Sequence, residues 1–193
     1  CMDEEIQKDR VAAGLSEIPL NIVMTLDATD VPMEHNLLKN TDVPCMMVTS
    51  PKGLEYLEKN FKGTYLVAKE TDSEEVIKEK LDKAGKGVLP VLVTGKGGFP
   101  DSTVTMKILK KIGIERLLIE SPGYGHYLVK QKMMDEFFLN LSAVYIGGGD
   151  TMTLGKADKG FLAEAHPHTQ ILSIHMYNDY FAYFRYKFNY DYV

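Results

Sequence analysis

The chain has 193 residues, 45% of them hydrophobic and 25% charged, with a formal net charge of −5. That length suits one domain with a full-sized core. The acidic balance argues against a general attraction to nucleic acid or to an anionic membrane surface. Two cysteines, Cys1 and Cys45, are too few for a disulfide framework and form no CxxC pair; with ten methionines they fit a reducing cytosol. No apolar run approaches the roughly 20 residues of a membrane span. The polar opening Cys1-Met2-Asp3-Glu4-Glu5 is not a secretory signal. A cytoplasmic protein without nucleic-acid or membrane partners is expected.

Leu20 to Leu26 is apolar and β-branched and ends at Asp27, which predicts a buried strand. Cys45 to Thr49 predicts a second. Leu54, Leu57 and Phe61 recur at helical spacing after Pro51, so Pro51 to Lys59 predicts a short helix. Thr64 to Ala68 follows as a strand. Ser73 to Ala84 follows as a helix, with Thr71 as its expected N-cap and Val76, Ile77 and Leu81 facing inward. Val88 to Val93 is the next strand and Gly95 to Pro100 a loop. Asp101 or Ser102 then caps a helix running to about Ile112, with Gly113 as its terminator. Arg116 to Glu120 predicts a strand, followed by the tight stretch Ser121 to His126, a helix, a strand over Phe137 to Ile146, and Gly147-Gly148-Gly149. Thr169 to Tyr177 alternates, with Leu172, Ile174 and Met176 on one face. Asn178-Asp179 makes a turn, and Tyr180 to Tyr190 alternates again, with Ala182, Phe184, Tyr186 and Phe188 on one face. Strands alternating with helices predict a mostly parallel sheet with helices on both faces, and antiparallel strands at one edge. There is no repeat, linker or low-complexity segment, so one domain over 1–193 is expected.

The stretch Arg116 to Leu128 carries the clearest chemical signal. An apolar strand ends in a carboxylate, Glu120, and a glycine-bearing turn opens into a helix. Phosphates bind at such places because the first turn of a helix offers free N–H groups and a positive dipole end. Glycine lets a ligand approach the backbone and permits positive φ. The stretch is neither a GxGxxG fingerprint nor a Walker A loop.

Strand, Glu120, glycine turn and helix, then Met133-Met134-Asp135-Glu136-Phe137-Phe138-Leu139-Asn140-Leu141 and Gly147-Gly148-Gly149, resemble the C-terminal reductase domain of the bifunctional riboflavin-biosynthesis deaminase/reductase family. Leu26-Asp27-Ala28 resembles that family's Val-Leu-Asp-Ser strand, and the closing hairpin matches as well. The resemblance runs from about Pro19 to Phe188. It implies a dihydrofolate reductase-like α/β fold: three αβα layers around a mostly parallel sheet with a C-terminal antiparallel hairpin. It also implies an NADPH-dependent reductase of a ribosylated diaminopyrimidine phosphate or a related small heterocycle. By position, Pro122, Gly123, Tyr124, Gly125 and His126 would hold the pyrophosphate of NADP(H). Glu120 would face the substrate or nicotinamide as the catalytic carboxylate. Ala28 stands where the family has a cofactor-contacting Ser, Thr49 and Ser50 would contact the adenosine half, and Lys52 or Lys96 would pair with a 2′-phosphate.

Three departures bear on that reading. Glu-Gly-Gly has become Glu120-Ser121-Pro122, and the proline removes an N–H donor. Ala28 lacks the family hydroxyl. The family's opening strand with Ser-Leu-Asp-Gly and its Gly-x-x-Thr helix are not in these residues. The expected alternatives are a partial sequence of an active reductase or a non-catalytic nucleotide-binding protein that keeps the fold.

The remaining constellations point to bland roles. His166-Pro167-His168 reads as a solvated loop, so no metal is expected. Zinc deamination needs His-x-Glu and Pro-Cys-x-x-Cys, and Pro44-Cys45 lacks the second cysteine. Cys45, inside an apolar strand, reads as inert core. The tyrosine-rich tail, Tyr177 to Tyr192, reads as an edge hairpin packed on a core or in a homodimer.

Overall fold

The computed structural model describes residues 3–39, 41–145, 159–162 and 165–191. The chain divides into two compact units, Cys1–Arg116 and Leu117–Val193.

In the first unit, helix α1 (Glu4–Ala12) is capped by the Asp3 carboxylate and buries no residue. Strands β1 (Asn21–Met24), β2 (Cys45–Thr49), β3 (Thr64–Lys69) and β4 (Val88–Val93) form an all-parallel sheet in the order β1-β2-β4-β3. The central positions go to the two strands that read as continuous apolar runs. A parallel sheet is covered on both faces, so its inner strands cannot alternate. Pro90 limits the pairing of β4. Thr94 N–H reaches the Thr49 carbonyl (3.1 Å), and alternation puts the missing N–H of Pro90 on the same side. The β2–β4 register accordingly runs only from Met47↔Val91 to Thr49↔Val93.

Each sheet face has its own core. Met47, Leu89 and Val91 pack with Leu57 of helix α2 (Pro51–Asn60), Met33 and Leu38. Met46, Val48 and Leu92 pack with Ile77 of α3 (Glu74–Leu81) and Leu109 of α4 (Ser102–Lys111). Cys45 lies in the first core, 3% exposed, and burial pushes its thiol up to about 11. At pH 8 only about one Cys45 in a thousand is then thiolate. Native chain treated with iodoacetamide at pH 8 should leave Cys45 unmodified, and denaturant should release it, as read by peptide mass spectrometry.

In the second unit, α5 (Pro122–Lys130) is followed by β5 (Glu136–Ser142), β6 (His168–Asn178) and β7 (Phe181–Asn189), an antiparallel sheet in the order β5-β7-β6. Arg185 grips Glu136 through two bonds of 2.7 and 2.8 Å on the polar face. The Tyr190 hydroxyl donates to the Met134 carbonyl (2.8 Å). No helix among the described residues is long and apolar enough to cross a membrane.

The α/β class and the helix-covered parallel sheet are as the sequence predicts, and five local expectations are corrected. The cap of α3 is Ser73 rather than Thr71, because the Ser73 hydroxyl is the one that accepts Val76 N–H (3.4 Å). Arg116 to Glu120 is not a strand: residues 114–121 have no regular structure, and Leu118 is exposed. Apolar composition supplies propensity, but a strand exists only with a ladder partner. The antiparallel strands form a sheet of their own rather than an edge of the parallel one. The hairpin turn is shifted to Asp179-Tyr180, because the Asn178 carboxamide accepts Tyr180 N–H (2.9 Å). Bulges at Leu172 and Tyr177 shift the register of β6, so Ile171, Ile174 and Met176 stand opposite Tyr186, Phe184 and Ala182. Gly147-Gly148-Gly149 lies outside the described residues.

Candidate functional site

The predicted site residues fall into two groups, one in each unit. In the first unit, Ala28, Thr49 and Ser50 come together at the carboxyl end of the parallel sheet. Helix α2 leaves β2 toward one face and α4 leaves β4 toward the other, as their separate cores show. Where neighbouring strands send their connections to opposite faces, a crevice opens at their carboxyl ends, and open α/β sheets hold ligands there.

In this chain that end of the sheet is tightly packed, with Ala28, Thr49 and Ser50 all fully buried. Ala28 is fully buried and holds φ +61, an unusual conformation for a residue with a Cβ. Its N–H donates to Thr25 Oγ1 (3.1 Å), and Thr25 donates in turn to Asp30 Oδ1 (2.8 Å). Backbone held in a sparsely populated region by such a brace is characteristic of functional turns. Ser50 N–H donates to the Leu26 carbonyl (3.3 Å), which ties the start of α2 to this turn. Gly53, which the sequence reading passed over, is what allows that approach. A Cβ there would run into Thr49 Oγ1 and come within 3.2 Å of the Asp27 carbonyl carbon.

The loop after β4 is fixed as firmly. Gly95 has φ +75, and a Cβ on it would strike the Phe99 carbonyl and the backbone of Pro100 and Asp101. Thr94, almost fully buried, shares a hydrogen bond with Thr105 of α4 (2.9 Å) and accepts Asp101 N–H (3.2 Å). These bonds fix the loop on the helix it introduces. The loop presents Lys96 and, 71% exposed, Phe99.

Charge at the mouth is paired. Lys52 Nζ lies 3.5 Å from Asp27 Oδ2. The Asp27 carboxyl is held below its usual range, first by hydrogen bonds from the Thr29 hydroxyl and N–H and then by Lys52. The amides of α2 are already committed: Pro51 has none, Lys52 N–H goes to the Gly97 carbonyl (3.0 Å) and Gly53 N–H to Ser50 Oγ (3.2 Å). The first turn of α2 thus has no free amide in its first three residues, and Lys52 and Lys96 are the cations beside it.

In the second unit, the stretch read as a glycine turn is the first turn and a half of α5 itself. Ser121 is the N-cap and Pro122 sits in the first turn. Gly123 and Gly125 take no positive φ, and a Cβ on Gly125 would make only ordinary contact with Ile119 (3.8 Å). Their glycine character is not demanded by the backbone, which corrects the turn geometry expected from sequence. Pro122 has no N–H and Tyr124 N–H goes to Ser121 Oγ (3.4 Å), which leaves Gly123 N–H as the amide this turn can offer. His126 packs against Phe161 at a tilt of 44° (5.0 Å between ring centroids), and its buried Nε2 has no hydrogen-bond partner among the described residues. Glu120 is exposed just before the cap.

No family model matches the sequence, and no curated protein does. Among solved structures, a Shewanella sp. PV-4 protein assigned to riboflavin biosynthesis aligns with 14% identity over 88% of this chain and 98% of its own, with a TM-score of 0.41. A pyrimidine reductase-like protein from Corynebacterium diphtheriae aligns with 14% identity over 99% of this chain and 69% of its own, with a TM-score of 0.61. The parallel sheet, its helical layers and the antiparallel C-terminal strands are thus similar in fold to a pyrimidine reductase-like protein.

Proposed function

We propose that the chain is an NADPH-dependent reductase of riboflavin-biosynthesis type, acting on a ribosylated aminopyrimidine phosphate or a related small heterocycle. The single observation that carries this reading is the braced Ala28 turn at the carboxyl end of the parallel sheet, in a fold similar to that of a pyrimidine reductase-like protein. Its residue types suit a dinucleotide. Phe99 offers an exposed ring for an adenine base. Lys52 and Lys96 offer cations for a 2′-phosphate, and Lys52 exchanges its Asp27 contact for that phosphate.

NADPH, when bound, supplies the hydride. The chain's own residues bind and orient, and no nucleophile is required. Glu120 is assigned to the substrate as the carboxylate that holds its amino groups. The alternative is a nucleotide-binding protein without turnover, and the same experiment separates the two.

The test is titration with NADPH and NADH, followed by nicotinamide fluorescence. Selective NADPH binding is expected. Phe99→Ala should weaken it tenfold or more, since stacking on a base contributes about 1–3 kcal/mol. Glu120→Gln should keep NADPH binding and lose turnover. Binding without turnover of any pyrimidine would select the alternative. Binding of neither nucleotide up to about 1 mM would remove both readings.

A further inference from the structure

The loop between β4 and α4 places Gly95, Gly97 and Gly98 within four residues. Glycine leaves the backbone more freedom than any other residue, so the order of such a loop has to come from groups outside it. Phe99 adds little packing of its own, since most of its ring is exposed. Lys52 N–H donates to the Gly97 carbonyl (3.0 Å), and Thr94 ties the loop to α4 through Thr105 and Asp101. The remaining anchor is a carboxylate from another strand end: Gly95 N–H donates to Glu70 Oε2 at 2.9 Å. Glu70 is itself held. Its N–H donates to the Val93 carbonyl (3.1 Å), just past the last β3–β4 pair, Lys69↔Val93. The turn it opens is closed by Asp72, whose carboxylate accepts Lys69 N–H (3.1 Å) and pairs with Lys80 of α3 (2.9 Å).

We propose that Glu70 is a positioning residue for the nucleotide, acting through the loop that presents Lys96 and Phe99; this rests on the NADPH reading above. Glu70 is exposed and belongs to neither core, so its side chain is not there to fill space. A carboxylate bonds an amide more strongly than a neutral acceptor does. It fixes the first residue of the loop, from which the positions of Lys96 and Phe99 follow. Held in advance, the loop loses less freedom when the nucleotide arrives, and that saving appears as affinity.

NADPH titration and hydrogen exchange on the wild-type chain, Glu70→Ala and Glu70→Gln provide the test. Glu70→Ala should release the Gly95 amide to exchange and weaken NADPH binding about five- to tenfold, with little change in melting temperature. Glu70→Gln keeps a carbonyl acceptor on a side chain of the same length and should restore most of both. In a Phe99→Ala background the loss from Glu70→Ala should shrink, because the ring that the loop aims is gone; a merely structural loss would add in full. Unchanged Gly95 exchange or unchanged NADPH affinity in Glu70→Ala would overturn the proposal, as would fully additive losses. A wild-type chain that binds no NADPH would overturn it together with the reading it rests on, before any variant is compared.

Discussion

Gly95→Ala is expected to lower the stability of the first unit by about 3 kcal/mol, combining left-handed strain of about 1–2 kcal/mol with overpacking of about 1–3 kcal/mol. The residue holds φ +75, and the added methyl meets backbone of Phe99, Pro100 and Asp101, none of which can rotate away. Relief requires the whole loop to move, against the bonds that tie Thr94 to Thr105 and Asp101. A drop of roughly 10 °C in Tm should follow, and NADPH affinity should fall with it because Lys96 and Phe99 ride on the same loop. Gly97→Ala is the matched control. Gly97 also has positive φ (+61), but nothing lies within 4 Å of its Cβ position. It should cost only about 1 kcal/mol, the strain alone. Thermal melts of the two variants side by side decide the point; equal losses would mean that the close approach at Gly95 contributes nothing.

Gly53→Ala is expected to cost about 2 kcal/mol, the ordinary range for overpacking a filled site, and to weaken NADPH binding through the Ala28 turn. The methyl collides with Thr49 Oγ1, which is fully buried and donates to the Leu26 carbonyl (3.4 Å). Thr49 must then turn away and give up that bond, or α2 must lift from the Leu26–Asp27 backbone. The two routes are separable. Adding Thr49→Ala to Gly53→Ala removes the colliding oxygen, so the double variant should be more stable than the sum of the two single losses, a favourable coupling of about 1 kcal/mol. Additive losses in urea melts would show that the 3.2 Å approach to Asp27, not Thr49, sets the cost.

Gly53 and Gly95 mark the limit of what was legible in advance. The sequence carries its periodicities openly. Cys45–Thr49 and Val88–Val93 are runs that only a doubly covered strand tolerates, and both came out with those bounds. Helix α2 was visible because Leu54, Leu57 and Phe61 recur at helical spacing, and α4 because Val104, Ile108, Leu109 and Ile112 form a stripe behind a cap at Asp101. A glycine looks like any other glycine until the chain it touches is known. Gly53 approaches the backbone of Asp27, and no local pattern connects the two.

Arg116 to Glu120 shows the converse. The sequence is as good a strand as β2, yet it has no regular structure, because pairing is a property of two segments. The glycine stretch before Leu128 likewise reads as a turn but lies inside α5, where Pro122 and the Ser121 cap start the helix early. Local sequence therefore determined the apolar strands, the amphipathic helices and their caps, since each depends on side-chain spacing within a few residues. Tertiary structure decided which strands pair, which glycines are indispensable and where β6 shifts register, since each of these depends on contacts between segments apart in the chain.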